Sequence, residues 1–186
     1  KTINNKRIKS FLTFDIFDYS NPIDNNLDGF TDLSLRKRYT FFNKMNFYSL
    51  KNPNNPFKLS LRLMNENRWG GQMDWNESFR GSNQFYGESI LTDRIEVGTS
   101  YRFPTKERLT WNSSYSWHKQ KSWYGNNTYN ALQVIGFSQF TWRKKWNEKF
   151  NLLSGLALRY NYYDDNTPAT INEISWWLPG AFLQAQ

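Results

Sequence analysis

The folds open to this chain are limited most by its period-two alternation of apolar and polar residues, held over runs longer than a soluble strand of about five or six residues. From Leu91 the odd positions read Leu91, Asp93, Ile95, Val97, Thr99, Tyr101 and Phe103, against Thr92, Arg94, Glu96, Gly98, Ser100 and Arg102. Successive strand residues point to opposite faces, so one face is greasy and the other charged. From Leu109 the odd face carries Leu109, Trp111, Tyr115 and Trp117, opposite Thr110, Asn112, Ser114, Ser116 and His118. From Phe150 the even face carries Phe150, Leu152, Leu156, Leu158, Tyr160 and Tyr162, with Leu153 the one bulky exception on the other side. Shorter runs appear from Phe57 to Leu63 and from Ile8 to Ile16, while in 131–142 neither parity is cleanly apolar.

About eight strands follow, long enough to cross a hydrocarbon layer, which takes about nine to eleven tilted residues. In lipid every backbone group must be paired internally, so such strands require a closed barrel in the complete protein. The connections alternate too: short turns at 52–56, 104–107 and 147–148 against longer segments at 21–34, 70–85 and 164–173, with a short hairpin near 125–127. Short turns on one side and longer loops on the other mark outer-membrane barrels.

No apolar run approaches the roughly 18 residues of a helical span, and mean hydropathy is −0.81. Yet 19% of the residues are aromatic, too many for a disordered polar chain. Rings with polar tips suit a water–hydrocarbon interface and also a glycan-binding surface. Trp111, Trp117, Trp142, Tyr101, Phe103, Tyr160 and Tyr162 fall toward strand ends on or near the apolar parity, where interfacial girdles belong. The net charge of +8 is split among 36–38, 106–108 and 143–149 rather than gathered in one stripe, so nucleic acid is not the expected partner. The absence of cysteine excludes disulfides, thiol nucleophiles and cysteine-ligated metals.

Three segments carry a family resemblance: 68–96, with Arg68-Trp69-Gly70-Gly71-Gln72-Met73, Trp75, Phe79-Arg80-Gly81 and Tyr86-Gly87-Glu88-Ser89-Ile90; 26–32, with Asn26-Leu27-Asp28-Gly29-Phe30 and Asp32; and the closing Trp177-Leu178-Pro179-Gly180-Ala181-Phe182. Together they resemble the barrel of TonB-dependent outer-membrane receptors of Bacteroidetes-type bacteria. The resemblance implies an all-β, antiparallel, up-and-down transmembrane barrel of about 22 strands, of which residues 1–186 form a middle part without the plug domain. It implies outer-membrane location, lipid, the receptor's own plug and TonB as partners, and uptake of a scarce nutrient such as a metal chelate, cobalamin, haem or a glycan. A soluble glycan-binding β-sandwich and a plugless porin-like barrel stay open beside it.

Candidate site residues lie mostly in the longer loops. Trp69, Trp75, Phe79, Arg80, Tyr86, Trp123 and Tyr124 combine rings with charge, a mixture suited to stacking on a ligand and pairing its charges. Asp24, Asn26, Asp28, Gly29 and Asp32 have the spacing of a calcium loop, so calcium is a candidate cofactor. Leu35 replaces the closing glutamate and no helices flank the loop, which excludes an EF-hand. His118 shares a face with Ser114 and Ser116 but has no carboxylate or amide placed to orient it, so enzyme activity is not expected.

Overall fold

The structure is a computed structural model that describes residues 2–4, 7–50, 52–148 and 150–185, with backbone alone for 2–4. Its described strands form one antiparallel sheet in strict chain order. They are β1 (Thr2–Asn4), β2 (Ile8–Tyr19), β3 (Leu35–Ser49), β4 (Asn52–Gly71), β5 (Gly87–Arg102), β6 (Arg108–Tyr124), β7 (Asn127–Asn147), β8 (Phe150–Asp165) and β9 (Ile174–Ala185). Eight of these are long, as the alternation predicts; β1 is a three-residue addition that it does not reveal. The all-β, up-and-down architecture therefore stands, but the sheet is open, with β1 and β9 at its edges. It is also one sheet, not the two packed sheets of a sandwich.

One expectation needs correction. Residues 52–56 are not the turn between β3 and β4 but the first part of β4 itself. The register jumps from Ser49 opposite Asn52 to Phe47 opposite Phe57, so 53–56 bulge from the ladder. Pro53 and Pro56 have no amide hydrogen to donate to it, and Asn52 and Asn55 bond to each other at 2.9 Å. The other turns and loops fall where expected. The register also settles 131–142: the even positions Leu132, Val134, Phe140 and Trp142 share the apolar face, leaving Ile135 and Phe137 on the other.

Directly opposed residues share a face, so the register sorts the whole sheet into two surfaces. The apolar surface is uncharged from Ile8 to Ile16, Tyr39 to Phe47, Phe57 to Leu63, Ile95 to Phe103, Leu109 to Trp117, Leu132 to Trp142 and Leu152 to Tyr162. Eight residue steps give about 26 Å of strand, or about 20 Å of height at the usual barrel tilt of about 40°. Toward the short turns a ladder of rings bounds this band. Phe47 meets Phe57 at 6.2 Å, Phe57 meets Tyr101 at 6.4 Å, and Tyr101 meets Phe103 at 5.0 Å. Phe140 then joins Phe103 at 6.4 Å and Trp111 at 6.3 Å. Toward the loops, Tyr160 and Trp177 meet at 4.8 Å, and charge resumes with Asp18, Lys37, Asp93, Lys119 and Asp164.

Nothing among the described residues covers this band. Phe14 is 62% exposed and Leu156 67% exposed, and Leu35 and Trp75 are the only buried hydrophobic side chains among the described residues. A water-soluble domain of this length would bury a contiguous core. The opposite surface carries the charge, and three of its central ion pairs cross between strands, Arg38 with Asp15 at 3.3 Å, Arg36 with Glu66 at 3.5 Å and Arg62 with Glu96 at 3.2 Å, while Arg94 pairs with Glu96 along β5 at 2.8 Å.

Candidate functional site

The three longer connections and the short β6–β7 hairpin all lie at one end of the sheet, and hydrogen bonds chain them into a layer. The β2–β3 loop reaches the end of β4, where Thr31 N–H donates to Gly71 O at 2.8 Å and Met73 N–H donates to Gly29 O at 2.9 Å. Asn126 N–H in the β6–β7 hairpin donates to Asn83 Oδ1 of the β4–β5 loop at 3.1 Å. Gly125, at φ +59°, supplies the left-handed residue of that two-residue turn. Asn166 then bridges the same hairpin to the β8–β9 loop, its Oδ1 accepting from Asn130 N–H at 2.7 Å and its Nδ2 donating to Thr128 O at 3.1 Å.

Within this layer a cavity of about 400 Å³ opens between the β2–β3 loop and the tips of β4 and β5. Phe30, Trp69 and Ile90 supply its apolar lining and Arg68, Tyr86 and Glu88 its polar groups. Arg68 and Glu88 fall on the charged face of neighbouring strands, Arg68 opposite Ile90 and Glu88 opposite Gly70. Tyr86 donates its hydroxyl to Glu88 Oε1 at 3.0 Å, and that bond raises the phenol above its ordinary value near 10, with desolvation adding to it. Arg68 makes no ion pair among the described residues. A guanidinium, a carboxylate and rings around one cavity can orient a small polar ligand and stack on its flat parts.

The seven ring and charge residues expected at a binding mouth separate into two groups. Trp69 and Tyr86 line the cavity, and Tyr124 lies opposite Glu88 on the same face. Trp75, Phe79, Arg80 and Trp123 instead hold the β4–β5 loop against the sheet. Trp75 is 8% exposed and lies so close over Gly87 that a Cβ there would overlap its indole ring. Asn76 caps the 3-10 turn Glu77–Phe79 by accepting from Ser78 N–H, and Phe79 packs on Phe85 at 4.7 Å. Arg80 donates from Nε to the buried Ser89 Oγ at 3.0 Å and stacks on Trp123 at 5.1 Å. Phe30, Arg68, Glu88 and Ile90 also line the cavity, although no local pattern marks them as site residues. The parity of Arg68 and Glu88 shows in the sequence, but their adjacency depends on hairpin register.

In the candidate calcium loop the side chains bind backbone. Asp24 accepts from Asp28 N–H at 3.2 Å and Gly29 N–H at 2.9 Å, Asp28 from Phe30 N–H at 2.8 Å, and Asp32 from Asn25 N–H at 2.9 Å. Asn26 donates from Nδ2 to Asp28 Oδ2 at 3.0 Å. Among the described residues no group of three or more His, Cys, Asp or Glu is placed to hold a metal ion. His118 lies on the charged face opposite Arg94 and Gln133, and no hydrogen bond joins it to Ser114 or Ser116 among the described residues.

No helix among the described residues is long and apolar enough to cross a membrane, which says nothing about crossing by strands. Comparison with protein-family models, with curated proteins and with solved structures finds no match to this chain.

Proposed function

We propose that this chain is wall and loops of a larger outer-membrane β-barrel, a TonB-dependent receptor that takes up a scarce nutrient. The observation that carries it is the two-faced sheet: an uncovered apolar band bounded by a ring ladder on one surface, and paired charges on the other. Its arginines and lysines facing lipid would cost about 2–4 kcal/mol each near the midplane, and its carboxylates somewhat less, so the charged surface is the one that faces the lumen. The receptor reading adds the family resemblance and the loop-end cavity, whose rings and Arg68 suit capture of a metal chelate, cobalamin, haem or a glycan. A plug inside the full barrel, TonB acting through it, and calcium in the Asp24 loop belong to this reading.

Residues 1–186 have no cysteine, so with any cysteine outside them replaced, single spin labels can be placed at positions 59–63 of the full protein in bilayers. Labels at 59, 61 and 63 should collide with dissolved oxygen, and labels at 60 and 62 with a water-soluble nickel chelate. No alternation, together with a monodisperse protein in the absence of detergent, would refute the membrane wall. The receptor reading predicts a plug-sized domain encoded upstream of residue 1 and further alternating strands downstream of residue 186. Start and stop codons at those positions would leave a small autonomous β-domain. Calorimetric titration of Ca²⁺ into the folded protein tests the metal, and absence of heat would remove it.

A further inference from the structure

The charged surface is not uniform along the strands. Its ion pairs lie in the middle and toward the loops, whereas the short-turn end carries Lys9, Lys44, Lys58, Arg102, Arg108 and Arg143, one on each strand from β2 to β7. All six are exposed. None is paired with a carboxylate among the described residues. Glu107, in the adjoining turn, pairs at 3.9 Å with Lys144 of the apolar face.

The register makes these cations one continuous belt. Lys9 lies opposite Asn46, two residues from Lys44; Lys44 lies opposite Ser60, two from Lys58; Lys58 lies opposite Ser100, two from Arg102. Arg102 lies opposite Thr110, two from Arg108, and Arg108 lies directly opposite Arg143. Direct pairs are about 5 Å apart and diagonal ones about 7–8 Å, and like charges directly opposed are destabilising. A belt of mutually repelling cations calls for an anion that the described strands do not supply.

We propose that the short-turn end of the charged surface is a docking surface for an acidic polypeptide segment rich in Asp and Glu. Five strand spacings of about 4.8 Å make the belt about 24 Å wide, matching an extended acidic segment or the face of a small domain and exceeding a single small anion. The strand pleat puts it on the opposite side of the sheet from the apolar band, so headgroups beside that band do not neutralise it. Phe11, directly opposite Lys44, and Phe42, two residues along from Lys44, line with Lys9 and Lys44 a cavity of about 540 Å³, which takes the apolar side chains of such a segment. The inference holds whether or not the apolar face meets lipid.

Zero-length carbodiimide coupling in cells that produce the full protein tests it, because it joins lysine amines only to carboxylates in contact. Lys144 with Glu107 at 3.9 Å and Lys37 with Asp18 at 4.0 Å calibrate the reaction internally. Mass spectrometry should then find Lys44 and Lys58 in amide bonds to Asp or Glu from outside the strands described here. The R102E/R108E/R143E variant should lower that yield at least fivefold, and K119E/K121E, on the other face, should not. If the triple reversal fails to fold, R102Q/R108Q/R143Q takes its place with the same expected direction. Calibration links alongside unmodified belt lysines would overturn the proposal. So would belt lysines carrying phosphoramidates, which would assign the belt to a nucleic acid or another phosphate polymer.

Discussion

The loop end and the short-turn end of this sheet are built from the same kind of strand yet are held in opposite ways. At the loop end the connections bond to one another, Trp75 and Leu35 are buried, and four charges on the polar face, Arg36, Arg38, Glu66 and Asp15, are matched, while Arg68 at the cavity stands without an ion pair among the described residues. At the short-turn end almost nothing is buried: rings form an exposed ladder on one face and cations go unmatched on the other. The loop end is thus completed largely from within, while the short-turn end offers two surfaces that need something outside, one apolar and one anionic.

That contrast can be broken most forcefully at Trp75. Removing its buried indole in W75A should cost about 3–5 kcal/mol of local stability, releasing the β4–β5 loop to proteolysis while strand amides at the other end keep their exchange protection. The two faces differ nearly as much. L61R on the apolar face should cost about 2–4 kcal/mol in bilayer-based unfolding, whereas S114R on the charged face should be close to neutral. Charge removal should change sign between the ends. D15N breaks a partly exposed pair and should destabilise by less than about 1 kcal/mol, while R108S relieves a directly opposed like pair and should stabilise by about 0.2–1 kcal/mol. The smallest effect concerns the β8–β9 loop, where hydrogen bonds from Thr167 and Tyr163 hold the Asp165 carboxyl down at about 2. A depressed carboxylate contributes stability above its ordinary pKa near 4 and loses it as pH falls toward the folded value. The protection of the Thr167 amide, relative to its intrinsic exchange rate at each pH, should therefore fall between about pH 4 and pH 2, and D165N should remove that dependence.

How much of this was legible beforehand differs by region. The parity of Leu91 to Phe103 or of Leu109 to Trp117 dictates strands and faces directly, because a strand's period is two whatever it pairs with. The segment 131–142 was opaque because both parities carry bulky residues, and only pairing to β6 and β8 decides which face Phe137 takes. The 52–56 stretch misled because Asn and Pro mark turns and bulges alike. At the candidate site, Trp75 and Arg80 have the composition of a binding loop but act as its internal supports. Arg68 and Glu88 look like ordinary strand charges and stand at the cavity.

The eight long strands, the two-faced pattern, the alternation of short and long connections and the absence of helical spans all follow from residue order, since each is a local property of consecutive side chains. Which charges find partners was settled only by the tertiary structure. Glu96 reaches Arg62 across a hairpin, whereas Arg108 faces Arg143, and the same residue types become a neutral network or a repelling belt according to register. The cavity beside Arg68 was decided there too, because it exists only where the β2–β3 loop bonds to Gly71, a contact between segments some forty residues apart that no local pattern encodes.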